Sequence, residues 1–589
     1  MKKHYETHVE DTDKLISVAG PVLDYKSWYE QYRKLMEEQA QRKYGLYTPT
    51  SEGDDDDFPS IPGMIARYSA LGLTNEQMAA NPVWVDKTGN GHDLQMKNLA
   101  WKGMSGVGGY VGDFSKWVNN RDTTEIGITK SNSKVIIDVK VSQGSGKNIV
   151  FISKSNLGIS NNVTIKITST YPEGVMKFAN SASNKYLKLP SNGIITLQDN
   201  PEYTSNEMHL HLASADLGQI TIEQLPLYPG ALVFDGVDDW AGCDNLPLLP
   251  KEKGYSIIAL RNWITRYDAT QYKRPLISNL DTNDEAAFLI EYRKDENVND
   301  VTGSYNSFTD VYIDDNNPIT WQTSSSYNGQ IIKKGTSKST NKLCICKTYF
   351  GVQLSNYANA AIWEIVILDH DATEEELTKI KDYFVKTYPW LFPDQAWTVT
   401  GKTNQDEDRA TIANITGNGN DLVLSNFGFA EGSGYNEEGE YAGYLVTDGV
   451  DDKITSSTFE MGNDWTVIGD WELINTGKKD NAGIVKFDSI IIYNYNPILI
   501  NIKNGRNNLI PDQNTVNAIC SDGRIYSKDW KESIYNEETE STSKNLLTIG
   551  YSGNRYTKIA FKNLAIYPTI LSKEDCIKAY NYLQTLKAK

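Results

Sequence analysis

At 589 residues the chain is too long for one hydrophobic core, and its 39% hydrophobic content is enough for several packed ones. A formal charge of −18 and a pI near 5.0 exclude a nucleic-acid backbone or an anionic membrane as the main partner. Abundant tyrosine (35) and glycine (44) favour strands and turns over helical bundles.

The start, Met1-Lys-Lys-His-Tyr-Glu-Thr-His8, lacks the apolar stretch of a signal peptide, so we expect synthesis in the cytoplasm without ordinary export. No apolar run reaches the ~20 residues of a membrane helix, so membrane insertion is not expected. Asp24 reads as an N-cap before apolar residues at helical spacing, namely Trp28, Tyr32, Leu35, Met36 and Ala40. The stretch from Thr48 to Pro59, with four consecutive aspartates at 54–57, reads as a hydrated linker. A lone amphipathic helix cannot bury its own stripe, so residues 1–58 are expected to attach the chain to a partner or to copies of itself.

From Pro62 onward the sequence is written twice. Gly72-Leu-Thr-Asn75 precedes Thr88-Gly-Asn-Gly-His-Asp-Leu94, and Gly401-Lys-Thr-Asn404 precedes Thr416-Gly-Asn-Gly-Asn-Asp-Leu422. Each reads as a turn before a strand, because Asn-Gly favours tight turns. Ala231-Leu-Val-Phe-Asp-Gly-Val-Asp-Asp-Trp240 returns as Tyr444-Leu-Val-Thr-Asp-Gly-Val-Asp-Asp-Lys453, a buried strand running into a turn. Ala361–Leu368 and Ala560–Tyr567 read as closing strands, each followed by a capped helix through Thr373-x-x-Glu376 and Ser572-x-x-Asp575. Four doubled motifs in the same order mean an internal duplication.

Copy one is longer than copy two by roughly 115 residues between Gly91 and Gly236. The extra segment, 116–229, alternates apolar and polar residues around Lys134, Val163, Tyr186 and Gly193, which predicts an inserted antiparallel β-sandwich. His209 and His211 within it share a strand face without a third ligand, so surface histidines are the better reading. Five cysteines make no disulfide framework, and Cys344-Ile-Cys346 reads as buried apolar side chains.

In this order the motifs resemble laminin-G-like, concanavalin A-like jelly-roll domains, over about 60–115 with 230–393 and again over 395–589. Ile65-Ala-Arg-Tyr-Ser-Ala70 and Met104-Ser-Gly-Val-Gly-Gly-Tyr110 further resemble virion proteins of phages of gut Bacteroidales, including the crAss-like group. The expected fold is therefore mainly β. It comprises an N-terminal helical anchor (1–58), a first jelly roll (59–115 and 230–394) interrupted by the inserted sandwich (116–229), and a second jelly roll (395–589). The resemblance implies a virion appendage such as a tail fibre, spike or head decoration, holding host-surface glycan through rim loops or a concave face. Expected partners are other virion proteins through residues 1–58, the glycan, and further copies of the chain, with a trimer as the class-based guess.

Three residue sets are candidates for chemistry. Asp235, Asp238 and Asp239, with Asp448, Asp451 and Asp452, offer hard oxygen ligands to calcium. Their retention in both copies favours a turn the fold requires, so the expected cofactor is none, with calcium as the alternative. Trp240 could stack on a sugar, although Lys453 replaces it in copy two. Asp470 and Glu472 are the nearest approach to the paired carboxylates of a glycoside hydrolase. Copy one has no acid at the matching place in Ser256–Trp263, and the Glu-x-Asp-x-x-Glu string of concanavalin-like hydrolases is missing. Non-catalytic adhesion is therefore expected, the alternatives being a purely structural decoration protein and a polysaccharide-degrading tail enzyme.

Overall fold

The computed structural model describes residues 57–589 except 120–122, 153–162, 181–185, 198–207, 250, 266–272, 281–287, 294–308, 313–316, 325, 328–329, 332–338, 351–355, 440, 475–482, 488–489, 494–498, 503–505, 510–515, 535–544, 553–554 and 589. The helix and linker expected before Asp57 lie outside the described residues. Pro59–Lys589 form one compact unit, and its described strands make three two-sheet sandwiches, so the protein is mainly β.

In the first sandwich the central strand is Asn359–Leu368. Ser256–Thr265 pairs along one edge of it, and Met64–Ser69 and Leu232–Asp235 follow one another along the other, all antiparallel. The second sheet runs Val83–Trp84, Leu94–Lys97, Trp240–Cys243, Leu343–Ile345, Lys273–Ser278, Phe288–Arg293, Thr309–Tyr312. Leu94, Phe234, Ile257, Ile277, Ile345 and Ile365 close the core between the two sheets. Nearly every residue of Asn359–Leu368 is buried, because both of its faces are covered. That is why its sequence is a continuous apolar run rather than an alternation.

The second sandwich repeats this plan. Ile559–Tyr567 takes the central place, flanked by Thr466–Leu473 on one side and by Gln395–Thr398 and Leu445–Val446 on the other. Its other sheet runs from Thr411–Ile412 through Leu422–Ser425, Lys453–Phe459 and Asn545–Ile549 to Arg506–Leu509. The copies part company far from the doubled motifs. Phe288–Arg293 pairs with Thr309–Tyr312 in parallel, whereas Ile490–Tyr493 and Leu499–Ile502 in the matching place are antiparallel.

Interrupting the first sandwich between Gly106–Val107 and Leu232–Asp235, residues 118–224 build two five-stranded antiparallel sheets. Lys134–Val139 alternates half-buried and buried side chains, as a sheet with one wet face must. Its core holds Phe114, Trp117, Ile137, Leu210 and Ile222. Trp117 is fully buried, with its ring 4.7 Å from that of Phe114 and edge-on to Phe178 at 6.3 Å. Burying such a side chain contributes about 1.5–3 kcal/mol.

Three α-helices complete the described fold: α1 (Asn75–Ala80), α2 (Glu374–Thr387) and α3 (Lys573–Leu583). Thr373 and Ser572 cap α2 and α3, with Glu376 completing the capping box of α2. Gly72-Leu-Thr-Asn75 carries the start of a helix that its doubling alone did not reveal. Thr74 and Gln77 in fact form a full capping box, so a short helix follows.

Candidate functional site

The doubled acidic turn is a corner between sheets, not a hairpin within one. Leu232–Asp235 belongs to one sheet of the first sandwich and Trp240–Cys243 to the other. Leu445–Val446 and Lys453–Phe459 make the same crossing in the second. Gly236 sits at φ +78 and Gly449 at φ +77, backbone conformations closed to most residues. A Cβ there would meet the Asn359 or Lys558 backbone nitrogen at 3.0 Å. Glycine is therefore fixed twice over, by conformation and by space.

The aspartates close this corner. The Val237 N–H donates to Asp235 Oδ1 at 2.7 Å, and the Asp235 N–H donates to Asp239 Oδ2 at 3.0 Å. Copy two repeats both bonds, with Val450 N–H to Asp448 Oδ1 at 2.7 Å and Asp448 N–H to Asp452 Oδ2 at 2.8 Å. Asp239 and Asp452 are fully buried, and each keeps one carboxylate oxygen, Oδ1, without a hydrogen-bond partner. Burial pushes the Asp239 carboxyl up to about 6, against the nearby Ser105 hydroxyl and the Asp235 N–H and with help from the Asp235 and Asp238 charges. Asp452 is raised to about 6 by burial in the same way, opposed by Asp448 N–H and Ser433.

Each triplet places one oxygen per residue within 4.8 Å of the others. Calcium takes about six to eight oxygens. Here it would find three carboxylates, two of them already accepting backbone N–H groups. The set completes the corner first and offers a cation only an incomplete shell.

The other doubled motifs are also spent on the fold. Asn75 Oδ1 accepts the Val107 N–H at 2.8 Å while its Nδ2 donates to Val107 O at 3.1 Å. Asn404 makes the same pair with Tyr435, both at 2.8 Å. Each asparagine thus acts as a one-residue strand partner. In the glycine-rich turn, Asp86 Oδ1 accepts the Thr88 hydroxyl at 2.8 Å and the Arg67 N–H at 3.1 Å. Asn414 Oδ1 does the same for Thr416 (2.9 Å) and Ala396 N–H (3.2 Å). An amide replaces a carboxylate without loss, so the position needs an acceptor and not a charge.

The remaining candidates are likewise engaged. Trp240 is half-buried, with Lys347 Nζ 4.2 Å from its ring centre and Phe350 edge-on at 5.9 Å. Asp470 is 7% exposed and lies beneath the end of α3. Its oxygens accept the Tyr444 hydroxyl at 3.1 Å and the Gln584 amide at 3.0 Å. Glu472 pairs with Lys528 at 3.2 Å. Trp471 between them points into the core, so both acids lie on the sheet's outer face. His209 is buried and His211 half-buried, not surface side chains as expected; they straddle a bulge and, among the described residues, join no group of three metal-binding side chains. All five cysteines are buried thiols.

Two features escaped the sequence reading. One is a buried ion pair under α2. Arg67 Nε lies 3.2 Å from Glu364 Oε2, Tyr388 donates to Glu364 Oε1 at 2.8 Å, and Arg67 donates to the Tyr383 hydroxyl at 3.0 Å. Burial pushes the Glu364 carboxyl above its ordinary range even with Arg67 beside it. The other is a cleft of about 1210 Å³ where all three sandwiches meet. Trp530, with its backbone at φ +59, stands in its wall. The sequence signal for it was weak: a tryptophan in a Ser-Lys-Asp-Trp-Lys turn between two strands.

No family model and no curated protein matches the chain. Similar solved structures include Trypanosoma rangeli sialidase in complex with sialic acid, at 8% identity and TM-score 0.25, covering 77% of this chain and 61% of that one. The botulinum neurotoxin type G receptor binding domain is similar over 32% of this chain and 50% of that one, at 12% identity and TM-score 0.21. The serotype D binding domain aligns over 59% of this chain and 89% of that one, at 9% identity and TM-score 0.21. The chain thus spans about three-fifths of that sialidase, and nothing about its chemistry follows from likenesses this distant.

Proposed function

We propose that the chain is a non-catalytic adhesin, a phage virion appendage that holds host-surface carbohydrate. Residues 1–58 attach it to other virion proteins, and several copies, three in the simplest case, give avidity to weak sugar contacts. The observation that carries binding over hydrolysis is the state of Asp470. A general acid needs room for the glycosidic oxygen, but Asp470 is 7% exposed and both its oxygens are hydrogen-bonded under α3. The virion assignment rests on the resemblance of Ile65–Ala70 and Met104–Tyr110 to phage virion proteins.

The test is a panel of capsular polysaccharides from gut Bacteroidales incubated with the full chain, scored for retention and for release of reducing ends. Retention without release is the expected result. Release of reducing ends that disappears in Asp470→Asn would make the protein an enzyme. No retention by any polysaccharide would leave a purely structural decoration protein.

A further inference from the structure

The cleft where the three sandwiches meet is built rather than incidental. Tyr110 of the first sandwich, Lys166 and Thr168 of the inserted one, and Trp530, Lys573 and Asn581 of the second all line it. Its walls are tied together: Thr164 Oγ1 of the inserted sandwich donates to Asn581 Oδ1 of α3 at 2.9 Å, and Trp363 meets Tyr582 edge-on at 6.5 Å. At about 1210 Å³ it exceeds the roughly 300–1,000 Å³ of ordinary small-molecule sites. An oligomeric ligand suits such a volume better than a single small metabolite.

Its charge is balanced although the chain is strongly acidic. Four lysines (166, 531, 573, 578) face four acids (Glu173, Asp529, Glu532, Glu574), and Lys578 lies 3.2 Å from both Glu574 and Asp575. A wall without net charge gives no preference for an ionic ligand.

Trp530 gives the second, independent observation. It is 1% exposed, and its indole N–H is buried without an acceptor. Its backbone at φ +59 is unfavourable for a bulky residue. The Trp530 N–H donates to Ser527 O at 2.9 Å, and the Tyr526 and Tyr580 rings pack on the indole at 6.2 and 5.6 Å. The fold thus holds a bulky ring rigidly in the cleft wall at a conformational cost.

We propose that this three-sandwich cleft is the glycan site and that it takes an uncharged oligosaccharide, held between its charge-balanced walls, one of which the strained Trp530 fixes in place. The proposal rests on the adhesin reading and adds the place and the ligand class. It also gives the inserted sandwich a role, since that sandwich supplies one wall.

The test is calorimetric binding of the full chain to uncharged hexasaccharides (β-glucan, α-glucan, mannan and galactan fragments) and to oligouronate and sulfated probes. Thr168→Trp, at an exposed position in the cleft, is expected to abolish binding of an uncharged hexasaccharide without lowering the melting temperature. Trp240→Phe should change nothing. Hexasaccharide binding unchanged by Thr168→Trp would overturn the cleft while leaving the adhesin reading intact. Preference for the anionic probes would overturn the ligand class. A wild-type chain that binds no sugar would overturn both readings.

Discussion

Glu364 and Arg67 give the sharpest energetic test of the duplicated architecture. Both are buried, 0% and 3% exposed, and Glu364 takes bonds from Arg67 and Tyr388. Removing one partner of such a pair strands a charge and costs about 3–5 kcal/mol. Glu364→Leu and Arg67→Met should each destabilise the first sandwich by about that amount. Replacing both should cost far less, because the raised Glu364 pKa means pairing does not fully offset desolvation. The second copy supports this directly. Register places Ala396 and Asn563 where Arg67 and Glu364 stand, and the same sheet forms without an ion pair. A chain of three sandwiches need not unfold in one step, so the assay is native-state hydrogen exchange of amides in Asn359–Leu368. Single variants should lower the local opening free energy by about 3–5 kcal/mol, and Arg67→Met with Glu364→Leu by about 1 kcal/mol or less. A double variant as unstable as the sum of the singles would refute the reasoning.

Other outcomes follow from the corner turns. Gly236→Ala and Gly449→Ala place a Cβ at positive φ, about 1–2 kcal/mol for the conformation alone, and 3.0 Å from a backbone nitrogen. Each should therefore destabilise its own sandwich by about 2 kcal/mol or more, read by thermal unfolding, and wild-type stability would contradict the corner geometry. Asp239 and Asp452 sit near 6 in the folded chain, above the ordinary 3.8. The folded state therefore binds their protons more tightly than the unfolded state. The stability they contribute is complete below about 3.8 and is lost as pH rises through about 6. Wild type compared with Asp239→Asn plus Asp452→Asn should show that loss, with calcium leaving it unchanged. A bound cation would instead hold the carboxylates ionised, and calcium-dependent reversal of the slope would show that the triplets are metal sites.

What was legible in the sequence is what short-range chemistry demands. A corner at positive φ needs glycine, a turn needs an acceptor two residues back, and a capped helix needs Thr-x-x-Glu. Such needs recur wherever the fold recurs, so the doubled motifs revealed a mainly β, duplicated architecture. The same logic weakens the aspartates as a ligand site from the sequence alone. Long-range partners left no such trace. Arg67 and Glu364 are 297 positions apart, and nothing local marks either as buried. The cleft draws its walls from three sandwiches, so no stretch of sequence contains it. Asp470 and Glu472 looked alike on one strand, yet the fate of Asp470 depended on α3, over a hundred residues later.

We propose that what the copies share serves the fold and that sugar is held where they differ. Asp238 and Asp451 are the exposed members of the acidic triplets, the ones a ligand would need and the corner hydrogen bonds spare. The decisive measurement is retention of the full chain on a polysaccharide that holds the wild type, compared between Asp238→Asn with Asp451→Asn and Thr168→Trp. The account predicts wild-type retention for the first and none for the second. Lost retention in the aspartate variant, with the cleft variant unaffected, would contradict it.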